Sequence, residues 1–373
     1  MDIGAVTSIW LDAARAQVPE LELFDAHTHL GQNDPDGFKQ TPQELTATLQ
    51  NAAARGCFVF PMHEPDGYPP ANDTVIGMAK DSGGLMVPFC RVDPKDGALQ
   101  EAERALAIGA RGIKLHPRAE AFELDHPEVR QLFALADERS LPVLIHAGRG
   151  IPALGRHAVE LAGEFPNARV ILAHAGVCDL GWIWRAAAEL PNLLFDSSWW
   201  ITADLMALFK LVPPAQILFA SDAPYGNTSL SAAYQVRLAL QAGWTLEQVR
   251  LFASGQSERI AAGDPLAVYG PAQGESERAE HLLLDRVAEL LQMGLYTRFR
   301  GGDSAEILSL ARLACEVPDS IDDAPVFSAL RLLLDNFDEA AAQTTPEDRE
   351  PMRLLILAAV VARTPDVPLP SVL

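Results

Sequence analysis

The chain has 373 residues, 50 acidic against 29 basic, giving a formal net charge of −21, with 49% hydrophobic and 21% charged residues. Such a balance is ordinary for a globular protein with a sizeable core, and its charge repels polyanions, which excludes nucleic acid and anionic membrane surfaces as partners. The four cysteines lack CxxC spacing, the start carries no basic-then-apolar leader, and no apolar run reaches the ~18–20 residues of a membrane span; the expectation is a cytoplasmic protein acting on a small-molecule substrate, with homo-oligomerisation left open.

Residues 1–20 read as one amphipathic helix. From residue 21 onward, short apolar runs recur, bounded by Gly, Pro, Asp or Asn: LELFDAHTHL, GCFVFPMHE, LMVPFCRVDP, ARGIKLHP, LPVLIHAG, ARVILAHAG, NLLFDSSWW and QILFASDAP. These have the strand signature. They lack clean alternation in their first halves, as parallel strands covered on both faces do. Cys57 and Cys90 fall inside two of them and read as small buried hydrophobes. Between the runs lie segments with helical spacing, among them TPQELTATLQNAAAR, with Thr41 as N-cap and Pro42 at the first helical position. ALQEAERALAIG, HPEVRQLFALADERS, DLGWIWRAAAEL, TADLMALFKLV and SLSAAYQVRLALQAG are similar, and the remaining gaps are helix-length. Eight strand-plus-helix units predict an α/β fold, a (β/α)₈ TIM barrel over residues 21–265. An open doubly wound sheet is the alternative, disfavoured by the absence of a GxGxxG turn. After the Gly- and Pro-containing linker VYGPAQGES, residues 274–373 show no strand signal and read as an additional C-terminal all-helical region of several helices. It packs on itself, on the barrel or on a second subunit.

The strand ends carry the chemistry. Leu23, Asp25, His27 and His29 share a parity in the first strand, which predicts that all four point the same way. Two imidazoles two residues apart lie about 6.5–7 Å apart along one face and can converge on one ion. His146, His174 and Asp222 each follow an apolar run, at the rim where active sites are built in this fold. Singly, a histidine after an apolar strand is usually a satisfied structural residue. Five metal-ligand side chains all ending strands are instead what a catalytic divalent ion needs: imidazoles and a carboxylate on rigid elements, with one position open to water. A water bound there loses its proton near neutral pH.

Asp25-Ala-His27-Thr-His29, with a histidine after strand five, another after strand six and an aspartate after strand eight, resembles the metal site of the amidohydrolase superfamily. The phrases GIKLHP, HAG, ILAHAG and SDAP are most similar to its amidohydrolase 2 branch, which includes aminocarboxymuconate-semialdehyde decarboxylase-like enzymes. The resemblance covers residues 21–262 and not the helical tail. It implies that His27, His29, His146 and Asp222 hold one divalent ion, zinc foremost. His174 is then a further ligand or the residue that moves protons, and Asp222 also accepts a proton from water. Asp25 orients a ligand histidine or makes a plain structural hydrogen bond. The family often has Asn-Ala after a glycine in the last helix; here Gly255-Gln256-Ser257 stands, which leaves the closing helix in question.

Lys114 and His116 alternate with Ile113 and Leu115 and are expected to face the barrel interior. An inward lysine needs a reason. If carboxylated it bridges two ions; otherwise it contacts a substrate anion, acts in catalysis or sits in a structural ion pair. Arg91 ends strand three, where it grips a substrate carboxylate or pairs with Asp93 or another acid. His63, His116 and Trp199 are expected to line the substrate pocket, with Tyr68 closing over it and Trp200 beside Trp199. Arg149 lies in the loop after strand five, where the surface is its simplest place. His126, His157 and His281 are surface or helix residues. The expected function is hydrolysis of a small carboxylate-bearing amide, ester or lactone by metal-activated water. Alternatives are decarboxylation or hydration of an unsaturated acid at the same site, and an inactive barrel serving as a scaffold.

Overall fold

Each of the eight apolar runs forms a strand: β1 (Phe24–Leu30), β2 (Gly56–Pro61), β3 (Met86–Arg91), β4 (Gly112–Leu115), β5 (Pro142–Ile145), β6 (Arg169–Leu172), β7 (Leu193–Asp196) and β8 (Ile217–Leu218). The structure is a computed structural model describing residues 3–148, 151–268, 270–274, 281–345 and 348–369. All strands pair in parallel in the order β1 to β8. The ends meet through hydrogen bonds from Ala26 N to Phe219 O (2.9 Å) and from His29 N to Ala223 O (2.8 Å), which bring the sheet round into a barrel.

Helix α1 (Ile3–Gln17) precedes the barrel. The outer ring is α2 (Pro42–Asn51), α3 (Pro69–Asp81), α4 (Ala98–Ile108), α5 (Pro127–Arg139), α6 (Leu154–Glu164), α7 (Leu180–Ala187), α8 (Thr202–Leu211) and α9 (Thr228–Gln241). Thr41 caps α2 in a capping box, its hydroxyl accepting from Glu44 N at 3.3 Å while Glu44 accepts from Thr41 N at 2.8 Å. The two helix-length gaps are helices too: α3 opens on Pro69-Pro70, and α6 buries Leu154, Ala158 and Leu161 at helical spacing.

Phe24, Phe58, Phe60, Phe89, Leu144, Ile171, Leu194 and Leu218 fill the barrel interior. A second apolar layer joins the strands' outer faces to the helices and includes Ile113 and Leu115, so Lys114 faces inward as its parity requires. The parity expected of the first strand is corrected. Asp25 pairs with Cys57 and Thr28 with Val59, three steps along β1 against two along β2. The extra residue is a bulge, and a bulge reverses the alternation beyond it. Leu23 therefore packs in the outer layer, and Phe24 and Ala26 in the interior, whereas His27 and His29 both lie against the interior ring of Phe60 (5.0 and 4.6 Å between centroids). Asp25 is not on the histidines' side.

The chain closes with α10 (Leu246–Arg250) and α11 (Gln256–Ala262), joined by one wider turn. Gln256, standing in the doubted segment, fastens that end by donating to Ala215 O (2.6 Å) and accepting from Ala267 N (3.0 Å). The C-terminal region forms α12 (Leu282–Phe299), α13 (Ala305–Ala314), α14 (Ala324–Ala342) and α15 (Met352–Arg363). These pack on one another, and α15 also packs on α8 and α9. Helix α9 is buried almost all round because α1 and α15 cover its outer side. Arg237 on α9 donates to Thr364 Oγ1 and Thr364 O, both at 2.6 Å, tying the barrel to the chain after α15. No helix among the described residues is long and apolar enough to cross a membrane.

Candidate metal centre

Three ligand atoms converge at the C-terminal rim. His27 Nε2 and His29 Nε2 are 3.1 Å apart, Asp222 Oδ1 is 3.1 Å from His29 Nε2, and it is 3.2 Å from His27 Nε2. With the His27 Nε2 lone pair among them, these atoms need either a proton on His29 Nε2 or a cation between them. Ligands about 2.0–2.1 Å from a common divalent ion stand at this kind of separation. His27 and His29 are buried, and the Asp222 side chain keeps 20% exposure, so one side of the triad opens outward. Asp222 sits at φ 60°, a strained conformation for a residue with a Cβ, which aims its carboxylate back over the rim.

The residue that orients His27 is Asp196, at the end of β7. Its Oδ2 accepts from His27 Nδ1 at 2.7 Å, which places the ring proton on Nδ1 and turns the Nε2 lone pair to the triad. Asp196 Oδ1 accepts from the backbone N of His174 (3.0 Å) and of Ser198 (3.0 Å), and from Ser198 Oγ. The sequence carried the signal, since Asp196 ends an apolar run as Asp222 does, but that rim was read through its tryptophans. Asp25, by contrast, binds Ser221 N (2.9 Å), Ser221 Oγ (2.6 Å) and Thr228 Oγ1 (2.7 Å), and reaches His27 only through the backbone N at 3.3 Å. It pins β1 to β8 and the start of α9. Burial raises its pKa to about 6, against the opposing effect of those hydrogen bonds.

His146 and His174 adjoin the triad as a pair. His174 Nδ1 lies 2.9 Å from the carbonyl of Ser198 and so carries a proton. Its Nε2 accepts from His146 Nδ1 at 2.9 Å. His146 Nε2 is therefore left with a lone pair, buried and without a hydrogen-bond partner. The His146 ring stacks on His116 (3.8 Å between centroids), and the His174 ring lies 5.2 Å from that of His27. Burial foremost, then the positive charge of neighbours, lowers the pKa of His27, His29, His116 and His146 well below the ordinary imidazole value. Rings left neutral at pH 7 keep a lone pair that can ligate a metal ion. Burial raises the carboxyl of Asp222, opposed by Lys114 and reinforced by Asp196.

Lys114 is wholly buried, its Nζ 4.7 Å from the centre of the Phe60 ring and without a hydrogen-bond partner. Burial first, then Arg91, lowers it to about 7. Arg91 itself is buried and ion-paired: its guanidinium donates to Glu120 Oε1 at 2.6 Å. Glu120, in the loop after β4, also accepts from Tyr68 OH at 2.5 Å and lies 4.0 Å from His63 Nδ1. Of the two roles open to Arg91, the structure shows the ion pair, with Glu120 rather than Asp93. Sequence reasoning missed Glu120 because a loop glutamate five residues past a strand has no periodicity to mark it. Trp199 stands 6.2 Å from the His174 ring. His126 caps α5, accepting from Glu128 N, and His157 is buried on α6. Arg149 lies outside the described residues.

A family model described as amidohydrolase matches residues 24–270. No curated protein matches the chain closely enough to count as a relative. Several solved structures share the fold at low identity. One is the 5-carboxyvanillate decarboxylase of Sphingomonas paucimobilis, with 15% identity, 65% of this chain and 99% of that one covered, and a TM-score of 0.52. Another is a 2,6-dihydroxybenzoate decarboxylase from Rhizobium, at 15%, 66%, 100% and 0.52. A TIM-barrel protein of Bordetella bronchiseptica stands at 17%, 65%, 99% and 0.53.

Proposed function

Because the chain belongs to the amidohydrolase family, we propose that it is a metal-dependent hydrolase whose centre is His27, His29 and Asp222, with His146 and His174 alongside, acting on a small carboxylate-bearing amide, ester or lactone. The observation that carries this reading is the triangle of ligand atoms 3.1–3.2 Å on a side, with the His27 tautomer set by Asp196. A divalent ion held there, zinc foremost, supplies an electrophile for the carbonyl and acidifies a water. The protein's own groups do the rest. Asp222 offers Oδ1 to the centre and keeps Oδ2 to take the proton of the attacking water. His174, engaged at both ring nitrogens, holds His146 in its ligand tautomer. Lys114 meets a substrate anion or returns a proton to the leaving group, a role supported by its inward Nζ lacking a hydrogen-bond partner.

Decarboxylation is the second reading. It is favoured by the hydroxybenzoate and carboxyvanillate decarboxylases among the structures sharing the fold and by the aromatic side chains beside the centre. Elemental analysis of purified protein and product analysis over a panel of carboxylated esters, amides, lactones and hydroxybenzoates test both. Hydrolysis requires bound metal, activity lost to a chelator and restored by zinc, and acid plus alcohol or amine as products. Carbon dioxide without hydrolysis replaces the first reading with the second. Metal-free protein whose stability ignores added zinc removes both and leaves a binding scaffold.

A further inference from the structure

The family match ends at residue 270, yet the helices beyond it reach the mouth of the barrel. Two chains of ring contacts lead there, one from His29 and one from His174. In the first, Tyr225, after β8, lies 5.4 Å from His29, and Phe38, in the loop after β1, lies 4.7 Å from Tyr225. In the second, Trp199 lies 6.2 Å from His174 and 6.0 Å from Trp200, and Trp200 lies 5.6 Å from Phe299 at the end of α12. Arg349, just before α15, joins the two: its guanidinium carbon is 5.3 Å from the centre of Phe38 and 5.4 Å from that of Phe299.

A guanidinium within reach of two aromatic rings is attracted to their faces, and its N–H groups suit a planar anion. Among the described residues no carboxylate pairs with Arg349, in a chain with 50 acidic and 29 basic residues. Of the acids beside Phe38 and Arg349 in the chain, three have partners of their own, Asp348 by accepting from the backbone N of Glu350. Asp34 accepts from Tyr225 OH and from the backbone N of Asp36, and Glu350 pairs with Arg353. Arg91, the cation that the barrel sequence offers for a substrate carboxylate, is buried and committed to Glu120.

We propose that Arg349 determines specificity: carried by the C-terminal helices, it recognises an anionic group at the end of a flat aromatic substrate remote from the metal centre. The inference rests on the reading of that centre given above. These ring contacts suit an unsaturated or aromatic body, and the arginine N–H groups suit a second carboxylate.

The test is calorimetric titration of zinc-loaded protein with isophthalate, naphthalene-2,6-dicarboxylate and biphenyl-4,4′-dicarboxylate, each beside its monocarboxylate counterpart. At least one dicarboxylate should bind about tenfold more tightly than its counterpart, as a hydrogen-bonded charge pair implies. In Arg349→Gln that preference should fall to within about twofold, with monocarboxylate affinity little changed, and Arg349→Lys should restore part of it. Arg349 is exposed, so neither variant disturbs the core. A wild type with no preference for any dicarboxylate, or a preference that survives Arg349→Gln, overturns the proposal. Monocarboxylate binding that does not depend on zinc would count against the metal centre instead, whatever the two variants do.

Discussion

Asp196→Asn isolates the tautomer argument. The carboxylate is fully buried and accepts on both oxygens: from His27 Nδ1 at 2.7 Å on one, and from two backbone N–H groups and Ser198 Oγ on the other. An amide cannot satisfy both sides. With its NH₂ toward His27, the ring must accept at Nδ1 and carry its proton on Nε2, inside a triangle whose sides are 3.1–3.2 Å. With its oxygen toward His27, the NH₂ faces the N–H groups of His174 and Ser198, and buried donors are left unmatched at a cost of about 1–3 kcal/mol. The first orientation weakens metal binding by about 10–100-fold, the usual effect of losing the group behind a ligand histidine. The second destabilises the metal-free fold. Competition for zinc against a chromophoric chelator reads the first, and denaturant unfolding of metal-free protein reads the second. A variant within about twofold of wild type in zinc affinity and unchanged in stability refutes the role given to Asp196.

Two further substitutions test the surroundings. A Cβ on Gly148 would stand 3.1 Å from His174 Cδ2 and 3.2 Å from His146 Nε2. Gly148→Ala should therefore lower zinc affinity and activity while the far-ultraviolet circular dichroism stays that of wild type; unchanged activity would show that the histidine pair has room to give. Lys114 bears on pH dependence. Its folded-state value is lowered to about 7 from 10.5, so between those values the unfolded chain binds the extra proton and stability rises with pH, while below about pH 7 the cost of the buried charge is fully present. Lys114→Met should flatten that rise in metal-free protein and make it more stable than wild type at pH 6, with activity lost. Parallel urea midpoints for the two proteins from pH 6 to 10 would contradict this.

Much of the barrel and part of its centre were legible in the chain. The eight strands follow from short apolar runs closed by polar residues, because burial between the interior and the helix layer demands that composition wherever the strand lies. His27, His29 and Asp222 were legible for the same reason, since a polar group ending such a run has only the rim to occupy. The strand parity that placed Asp25 beside them failed because a single-residue bulge leaves no mark in a local pattern; it exists only as a mismatch with β2. Lys114 was read correctly as inward, but its lack of a hydrogen-bond partner, with Arg91 spent on Glu120, is a matter of which loop folds over which strand. Asp196 lay within reach of the same rule as Asp222. Arg349 did not: more than 120 residues separate it from Asp222 in the chain, and only the packing of α15 on α8 and α9 brings the segment before it to the barrel's mouth. Local composition decides what each segment must bury, whereas long-range packing decides which charges and tautomers meet, and in this protein the chemistry depends on those meetings.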